Sequence, residues 1–260
     1  MIVHQVEQRS EAWHRLRMAI PTASDFGKII TAKTLKISTQ AKPYMCRLLA
    51  AWLCGHPLTI EEDAKSDFQS QFMQRGSELE AQAYRAYELQ EEVETEAVGF
   101  VTTDDGRAGC SPDRVIWAQK RGLELKCPSM PIHVGRMLDR TIDEEYVLQV
   151  QGCMWICEAE TWDVVSYYPG LPIVIVRAQR DEKYVAAIST AVEAFCVTME
   201  AAKVALTQQY GPFTRRVPVL IPDDEGLGVS EDDLDQILGA GLSVPQTATA
   251  GMAGGKEAVG

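Results

Sequence analysis

Apolar residues recur at helical spacing through most of the first third of the chain. The segment SEAWHRLRMA predicts a short helix that begins after its serine. PTASDFGKII predicts a second helix, because Thr22 followed three residues later by Asp25 is typical of a capping box. Residues 41–54 continue helically, and so do residues 64–90, with an interruption at Gly76. The chain is therefore expected to begin with helices.

The spacing then changes to that of strands. AVGFVTT, AGCSPDRVIWA and GLELKC are strand-like, and the polar turn QKRG separates the second from the third. Residues 143–158 are again helical, WDVVSYY and IVIVRA are two further strands joined through Pro169-Gly170, and residues 181–208 form a long closing helix. This order predicts an α/β fold with a mixed central β-sheet flanked by helices, in one domain that ends at residue 216.

Residues 217–260 differ from the rest in composition. They are rich in glycine and alanine and hold eight acids against one base, so a disordered acidic tail is expected. The segment SEDDLDQILGAGL within it could fold on a partner, or the tail could simply aid solubility. The net charge is −12, but residues 1–47 carry eight bases and three acids, which permits a basic surface that faces phosphate.

Several classes of protein are disfavoured by composition. The seven cysteines are odd in number and form no CxxC pair, which argues against a disulfide framework or a zinc site. No apolar run approaches the length of a membrane span, so no membrane association is expected. The first residues, MIVHQVEQRSEAWHRLR, lack the apolar region of a signal peptide and are typical of a cytoplasmic protein.

Two acids and a lysine stand out in the strand region. Glu124 and Lys126 are two residues apart in GLELKC, so they project from the same face of a strand, and Asp113 lies on the preceding strand. If the strands pair, the acids converge, and a hard cation such as Mg²⁺ would relieve their repulsion. Lys126 could then orient or deprotonate a water and stabilise charge on phosphate. The pattern also permits a surface ion pair on an edge strand.

Four segments, in order, resemble the PD-(D/E)xK nuclease superfamily in the form found in the phage lambda exonuclease and YqaJ-type viral recombinase family. SPD…GLELKCP resembles its nuclease signature, and WHRLRMAIPTASDF resembles its N-terminal block. RGSELEAQAY resembles its glutamate-bearing helix, and YVLQVQGCMWICEAETWDVVSYYPG its glutamine helix and the following strand. The resemblance covers residues 10–190 and implies a restriction-endonuclease-like core.

The resemblance also implies the roles of the acids. Asp113 and Glu124 would bind Mg²⁺, with the backbone carbonyl of Leu125 as a further ligand, and Lys126 would position or activate the attacking water. Glu80 would complete a second metal site or hold its water. Mn²⁺ is expected to substitute for Mg²⁺, and no organic cofactor is expected.

Two helices carry a second candidate beside the implied one. Glu78 lies two residues from Glu80, and Gln151 lies two residues from Gln149. Two residues on a helix differ in direction by about 200°, so only one of each pair can face the site. The resemblance favours Glu80 and Gln149.

A phosphate pocket is implied by the N-terminal block. Arg17, Ser24 and Ser111 occupy positions that bind the terminal 5′-phosphate in the family, and a guanidinium and hydroxyls suit phosphate oxygens. Ser24 is also predicted in the first turn of a helix, where anions are favoured. Lys33 and Lys36, in a basic segment, are candidates for contacts to backbone phosphate.

The sequence departs from the family in several places: Pro21 lies inside the N-terminal block, and KIITAKTLKISTQAK matches only in being basic. Ala19 stands where the family has glycine, which makes the local backbone uncertain but removes no chemical group. Residues 129–142 have no clear counterpart and are predicted to be a loop, in which His133 is either a DNA contact or an ordinary loop residue.

The implied function is a Mg²⁺-dependent 5′→3′ exonuclease that digests one strand of linear double-stranded DNA to mononucleotides, in phage-type recombination by single-strand annealing. The implied partners are DNA ends, two further copies in a homotrimeric ring, and a single-strand-annealing protein. The implied setting is the bacterial cytoplasm, with the gene carried by a phage or prophage. Two alternatives are a related nuclease with another polarity or endonuclease activity, and a DNA-end-binding adaptor without catalysis.

Overall fold

The computed structural model describes residues 1–56, 67–211 and 213, and the side chains of these except for residues 67–78. Contacts divide the chain into a unit Met1–Pro218 and a unit Val219–Gly260, close to the predicted boundary at residue 216. The predicted disorder of residues 217–260 concerns positions outside the described residues.

The elements of the described chain alternate much as the sequence patterns predict. The helices are α1 Glu11–Arg17, α2 Phe26–Ile29, α3 Ala41–Cys54, α4 Asp67–Glu91, α5 Met130–Asp139, α6 Glu144–Ile156 and α7 Glu182–Tyr210. The strands are β1 Ile2–His4, β2 Phe100–Thr102, β3 Gly109–Cys110, β4 Arg114–Ile116, β5 Arg121–Lys126, β6 Thr161–Ser166 and β7 Val174–Gln179.

The strands form two sheets. One is antiparallel, in the order β1-β2-β3, and the other has the order β4-β5-β6-β7. In the second sheet β5 is parallel to β6, while β4–β5 and β6–β7 are antiparallel. The α6 helix forms the crossover that a parallel pair requires. A mixed sheet flanked by helices confirms the predicted fold class.

Apolar side chains cover both faces of the four-stranded sheet. On one face, Trp162 and Val164 belong to the main core together with residues of α2, α3, α6 and α7. On the other, Leu123 and Leu125 pack against Ala83 of α4 in a smaller cluster. Because side chains alternate along a strand, Glu124 and Lys126 lie on the face opposite to the leucines.

A buried ion network attaches α4 to this sheet. The carboxylate of Asp163 on β6 is fully buried, and it accepts hydrogen bonds from Arg177 Nε at 2.7 Å and from the Tyr87 hydroxyl at 2.6 Å. Burial raises the pKa of Tyr87 to about 12, so its hydroxyl remains a donor at neutral pH. Glu80 lies seven residues before Tyr87, two turns along the same helix, and the network therefore sets its position.

Some local predictions were wrong. The α4 helix runs through Gly76 without interruption. Thr22 makes no side-chain cap, because its hydroxyl contacts Ser24 and Arg17, and the Asp25 carboxylate pairs with Lys28 at 2.9 Å. The capping-box prediction therefore fails because local contacts occupy both side chains that it requires, and the Thr22 N–H donates to the Tyr44 hydroxyl at 3.3 Å.

The segment predicted as a loop, residues 129–142, contains the α5 helix. Its one fully buried side chain is His133, whose Nδ1 lies 2.8 Å from Ser166 Oγ and whose Nε2 lies 3.0 Å from the Pro172 carbonyl oxygen. His133 is therefore neither a loop residue nor a surface contact for a ligand. It joins α5 to the end of β6.

One helix of the described chain, α7, is long and apolar enough to cross a membrane by length and composition alone. Its apolar face is part of the main core, where Ile188, Val192 and Met199 are buried beside residues of α3 and α6. A core helix meets the same criteria.

Candidate active site

The acids meet where β4 and β5 separate. Pairing of the two strands ends at Arg114 and Leu123, and the Asp113 N–H donates to the Leu123 carbonyl oxygen at 3.2 Å. Beyond that point the Leu125 N–H donates instead to Asp113 Oδ2, at 2.5 Å. One carboxylate oxygen thus takes the place of a strand partner, and this fixes the direction of the Asp113 side chain.

Glu124 and Lys126 project together, as the spacing predicts. Lys126 Nζ donates to Glu124 Oε1 at 2.7 Å and lies 4.5 Å from the centre of the Tyr146 ring on α6. Glu124 is only 5% exposed, on a strand that has neighbours on both sides. The alternative interpretation of Glu124 and Lys126, a surface ion pair on an edge strand, is therefore wrong.

Burial and neighbouring charges change the pKa values of Asp113 and Lys126. Burial and the negative charge of Glu124 raise the pKa of Asp113 well above its usual value. Burial lowers the pKa of Lys126, but the charge and hydrogen bond of Glu124, together with Tyr146 and Asp113, outweigh burial and raise the pKa above its usual value. Two repelling carboxylates and one cation are thus concentrated at the end of β5.

A divalent cation would fit this set of donors. Within the described part of the chain, no three His, Cys, Asp or Glu side chains are close enough to enclose a metal ion. Mg²⁺, however, is commonly held by one or two carboxylates and keeps several waters for its other positions. Asp113 and Glu124 supply hard oxygen donors, and a positive charge there would relieve the repulsion that raises the pKa of Asp113.

An open cleft of about 550 Å³ leads to Asp113. Glu80 and Leu125 line the same cleft, and Arg9 Nη2 donates to Glu80 Oε2 at 2.9 Å. Sequence reasoning missed Arg9, because nothing local relates it to an acid 71 positions away. The alternative candidate Glu78 has no described side chain.

The two glutamines of α6 differ in their surroundings. Gln151 is buried, its Nε2 donates to the Gln179 carbonyl oxygen at 2.9 Å, and its Oε1 accepts from the Asp181 N–H at 2.9 Å. Both polar atoms of the Gln151 amide are therefore used to join α6 to the turn before α7. Gln149 is half-buried on another side of the helix, which leaves it as the candidate for the site.

Substitution of the two glutamines is expected to separate activity from stability. Gln151→Ala should lower the free energy of unfolding by about 2 kcal/mol, because it removes two hydrogen bonds that the buried Gln151 side chain makes to the backbone. Gln149→Ala should lower turnover while the free energy of unfolding changes by less than about 0.5 kcal/mol. Urea denaturation and a nuclease assay on both variants measure this. A loss of activity in Gln151→Ala alone would contradict the assignment.

A second polar cluster lies at the N-terminal block. Arg17 Nη1 donates to Ser111 Oγ at 2.9 Å, and Arg17 Nη2 lies 3.5 Å from Thr22 Oγ1. Thr22 Oγ1 in turn lies 3.2 Å from Ser24 Oγ. The structure thus brings Arg17, Ser24 and Ser111 together, although Ser111 is 94 positions from Arg17. Ser24 itself is exposed, in a single 3-10 turn followed by the four-residue α2, which is too short for the predicted helix-terminus effect.

Arg17 is a partly buried cation whose hydrogen-bond partners are neutral hydroxyls, and the Asp25 carboxylate lies within electrostatic range. Burial lowers its pKa, which nevertheless stays far above neutral. Its guanidinium lies 4.3 Å from the centre of the Trp13 ring, and within the described chain it forms no ion pair with a carboxylate. A cation held in this way is available to an anion.

The backbone at Ala19 explains why the resemblance has glycine at this position. Ala19 is buried and has φ of 59°, in the left-handed region that glycine adopts without cost. An alanine there costs about 1 kcal/mol. The turn nevertheless forms, and it directs the chain from Arg17 to Thr22.

The remaining predicted phosphate contacts are not part of either cluster. Lys33 is exposed and pairs with Glu144 at 3.1 Å, at the start of α6. Lys36 is exposed in the turn that follows α2. Contacts of these two lysines with DNA stay a prediction.

Comparison with known proteins identifies the family. The model of the YqaJ-like viral recombinase domain matches residues 12–160, more than half of the chain. The crystal structure of LHK-Exo, an alkaline exonuclease from Laribacter hongkongensis, is 27% identical with a TM-score of 0.67, and the match covers 77% of this chain and 98% of that one. LHK-Exo in complex with dAMP gives the same TM-score and coverage at 28% identity.

A phage-related exonuclease from Haemophilus somnus 129PT is 17% identical, with a TM-score of 0.56 over 74% of this chain and 99% of that one, and supports the fold alone. The search of curated proteins found no match. The matched segment contains β4, β5 and the acids at the end of β5, and β6 and β7 of the same sheet follow it directly. The chain therefore belongs to the YqaJ-like viral recombinase family.

Proposed function

We propose that the protein is a Mg²⁺-dependent 5′→3′ exonuclease, which digests one strand of linear double-stranded DNA to mononucleotides during phage-type recombination by single-strand annealing. The observation that carries this proposal is the closeness of two clusters of different chemistry. The acidic cluster is formed by Asp113, Glu124 and Lys126, and the polar cluster of Arg17, Thr22, Ser24 and Ser111 is the proposed anion-binding cluster. Ser111 of the anion-binding cluster is two residues from Asp113 of the acidic cluster. Family membership and the named exonucleases with the same fold support it.

The acidic cluster supplies the groups for phosphodiester hydrolysis. Asp113 and Glu124 would hold the cation, with the Leu125 carbonyl as a further ligand and Glu80 placed across the cleft. Mg²⁺ bound there would activate water and stabilise the charge of the attacked phosphate and of the leaving oxygen. Lys126, whose Nζ donates to Glu124, would position or activate the attacking water and stabilise charge on the phosphate.

The anion-binding cluster would set the direction of digestion. Ser111 and Asp113 are two residues apart, a separation of at most about 7 Å along the chain, so a phosphate held by Arg17 and Ser111 would lie close to one held by the acidic cluster. If the first is the terminal 5′-phosphate, hydrolysis at the second would release a very short product. This spacing supports mononucleotide release and the 5′→3′ direction, which the resemblance implies.

The remaining parts of the proposal rest on the resemblance. A homotrimeric ring would keep an acidic protein on DNA by enclosing it, where electrostatic attraction alone would be weak. A single-strand-annealing protein would take the exposed strand. We place the protein in the cytoplasm of a bacterial host, encoded by a phage or prophage, with Mn²⁺ able to replace Mg²⁺.

A comparison of DNA topologies tests the proposal. With Mg²⁺ the protein is expected to digest a linear duplex and to leave the same duplex intact as a covalently closed circle, and EDTA should stop digestion. Gel analysis of 5′-labelled duplex should show mononucleotides as the first labelled product. Cutting of the closed circle would instead favour an endonuclease with this fold, and binding of ends without digestion would favour an adaptor.

A further inference from the structure

The hydroxyl of Ser111 has an unusual hydrogen-bond environment. Arg17 Nη1 donates to Ser111 Oγ at 2.9 Å, and the indole Nε1 of Trp13 also donates to it at 2.9 Å. Arginine and indole nitrogens are donors only, and a serine hydroxyl has two acceptor lone pairs and one hydrogen. Both lone pairs of Ser111 are therefore occupied, and only its hydrogen remains.

Within the described residues both hydrogen bonds of the Ser111 hydroxyl are bonds that its oxygen accepts, so its hydrogen has no acceptor there. Ser111 is half-buried beside Arg17, which itself forms no ion pair in the described chain. The O–H of Ser111 and the remaining guanidinium N–H groups of Arg17 therefore lie beside each other. A ligand group there must offer acceptors, as the oxygens of a phosphate do and an N–H group does not.

Ser24 provides a contrast within the same cluster. Its Oγ lies 3.2 Å from Thr22 Oγ1, and either hydroxyl can be the donor. The hydrogen of Ser24 can therefore turn toward Thr22 or toward a ligand. Ser111 has no such freedom, because two obligatory donors hold its oxygen.

We infer that Trp13 is a positioning residue for the 5′-phosphate. Its indole N–H holds Ser111 as an obligatory donor, and its ring face supports Arg17. The inference rests on the proposed function and adds a residue to it. The ring centre lies 4.3 Å from the Arg17 guanidinium carbon, and Nε1–H also donates to the Gly99 carbonyl oxygen at 3.0 Å, which fixes the plane of the indole. Trp13 acts through Arg17 and Ser111 and is not itself placed as a phosphate ligand.

The test separates the indole N–H from the ring. Trp13→Phe keeps an aromatic face under Arg17 but removes the donor to Ser111. A second variant replaces Trp13 with β-(3-benzothienyl)alanine, which keeps the bicyclic shape and has sulfur in place of the N–H. Trp155→Phe is the matched control, because Trp155 on α6 packs beside Phe26 and, among the described residues, makes no hydrogen bond to Arg17, Ser24 or Ser111.

The measurement is the ratio of two dissociation constants, obtained by fluorescence anisotropy in EDTA so that no cleavage occurs. The two probes are one linear duplex with 5′-phosphate ends and the same duplex with 5′-hydroxyl ends. Both Trp13 variants are expected to lower the preference for phosphate by about tenfold, the effect of one hydrogen bond to a charged group. Trp155→Phe should leave the preference unchanged.

A double-substitution cycle shows whether Trp13 acts through Ser111. In a Ser111→Ala background the benzothienyl replacement is expected to have no further effect on the preference. An equal loss in both backgrounds, or no loss in either Trp13 variant, would overturn the inference while the phosphate site stands. If wild type and Arg17→Ala bind both ends equally, the phosphate site itself fails, and the inference fails with it.

Discussion

Asp113→Asn is expected to slow cleavage of a linear duplex by about a thousandfold or more, because it removes a charged oxygen donor at the point where hydrolysis is proposed. Lys126→Met should slow cleavage by about a hundredfold to ten-thousandfold, through loss of the charge that orients water or stabilises phosphate. Single-turnover digestion of 5′-phosphorylated duplex in Mg²⁺ measures both. Each variant should still bind DNA ends in EDTA.

Stability distinguishes this loss from unfolding. An amide at position 113 can still accept the Leu125 N–H bond, and it removes the repulsion between Asp113 and Glu124. Asp113→Asn is therefore expected to unfold at an equal or higher temperature than the wild type. Lys120→Met is the matched control for the lysine, because Lys120 is exposed and pairs with Glu160 on the surface. Near-normal cleavage by Asp113→Asn would remove the acidic cluster from the mechanism.

Arg17→Ala is expected to lower kcat/KM on 5′-phosphorylated ends by about a hundredfold, because it removes charge-assisted hydrogen bonds to the phosphate. Activity on 5′-hydroxyl ends should change little, since those ends offer no anion to the guanidinium. Arg17→Lys should lie between Ala and the wild type, because an ammonium keeps the charge and loses the planar fork. The measurement compares kcat/KM for duplexes that differ only in the 5′-phosphate.

Arg15→Ala is the matched control on the same helix. The Arg15 side chain is 72% exposed and pairs with Glu11, so its loss removes a cation near the site without touching Ser111. It should leave the preference for phosphorylated ends unchanged. A similar loss in Arg15→Ala and Arg17→Ala would show that general positive charge, and not the Arg17–Ser111 cluster, is what the substrate senses.

The parts of the site that could be predicted from the sequence are those that depend on short-range geometry. The period of two along a strand places Glu124 and Lys126 on one face, and the structure shows Lys126 Nζ bonded to Glu124. The order of helices and strands likewise predicts the mixed sheet. The position of Asp113, eleven residues before Glu124, follows once the two strands are paired.

The parts that could not be predicted depend on contacts between distant segments. The Arg9–Glu80 pair and the Trp13–Ser111 bond join positions 71 and 98 residues apart, and no local pattern marks either. The capping box at Thr22, a preference of about 1 kcal/mol, failed because the Thr22 N–H donates to the distant Tyr44 hydroxyl while Thr22 and Asp25 find other local partners. The α5 helix was missed because His133 is buried by β6, which comes later in the chain.

One asymmetric duplex tests the combination of metal site and phosphate site most directly. It carries a 5′-phosphate at one end and a 5′-hydroxyl at the other, each end labelled separately, and it is incubated with wild type or Lys126→Ala in Mg²⁺ or EDTA. We expect Mg²⁺-dependent shortening that starts at the phosphorylated 5′ end and is absent with Lys126→Ala. Equal digestion of both ends would contradict the phosphate site, and digestion that persists in EDTA or in Lys126→Ala would contradict the metal-dependent mechanism.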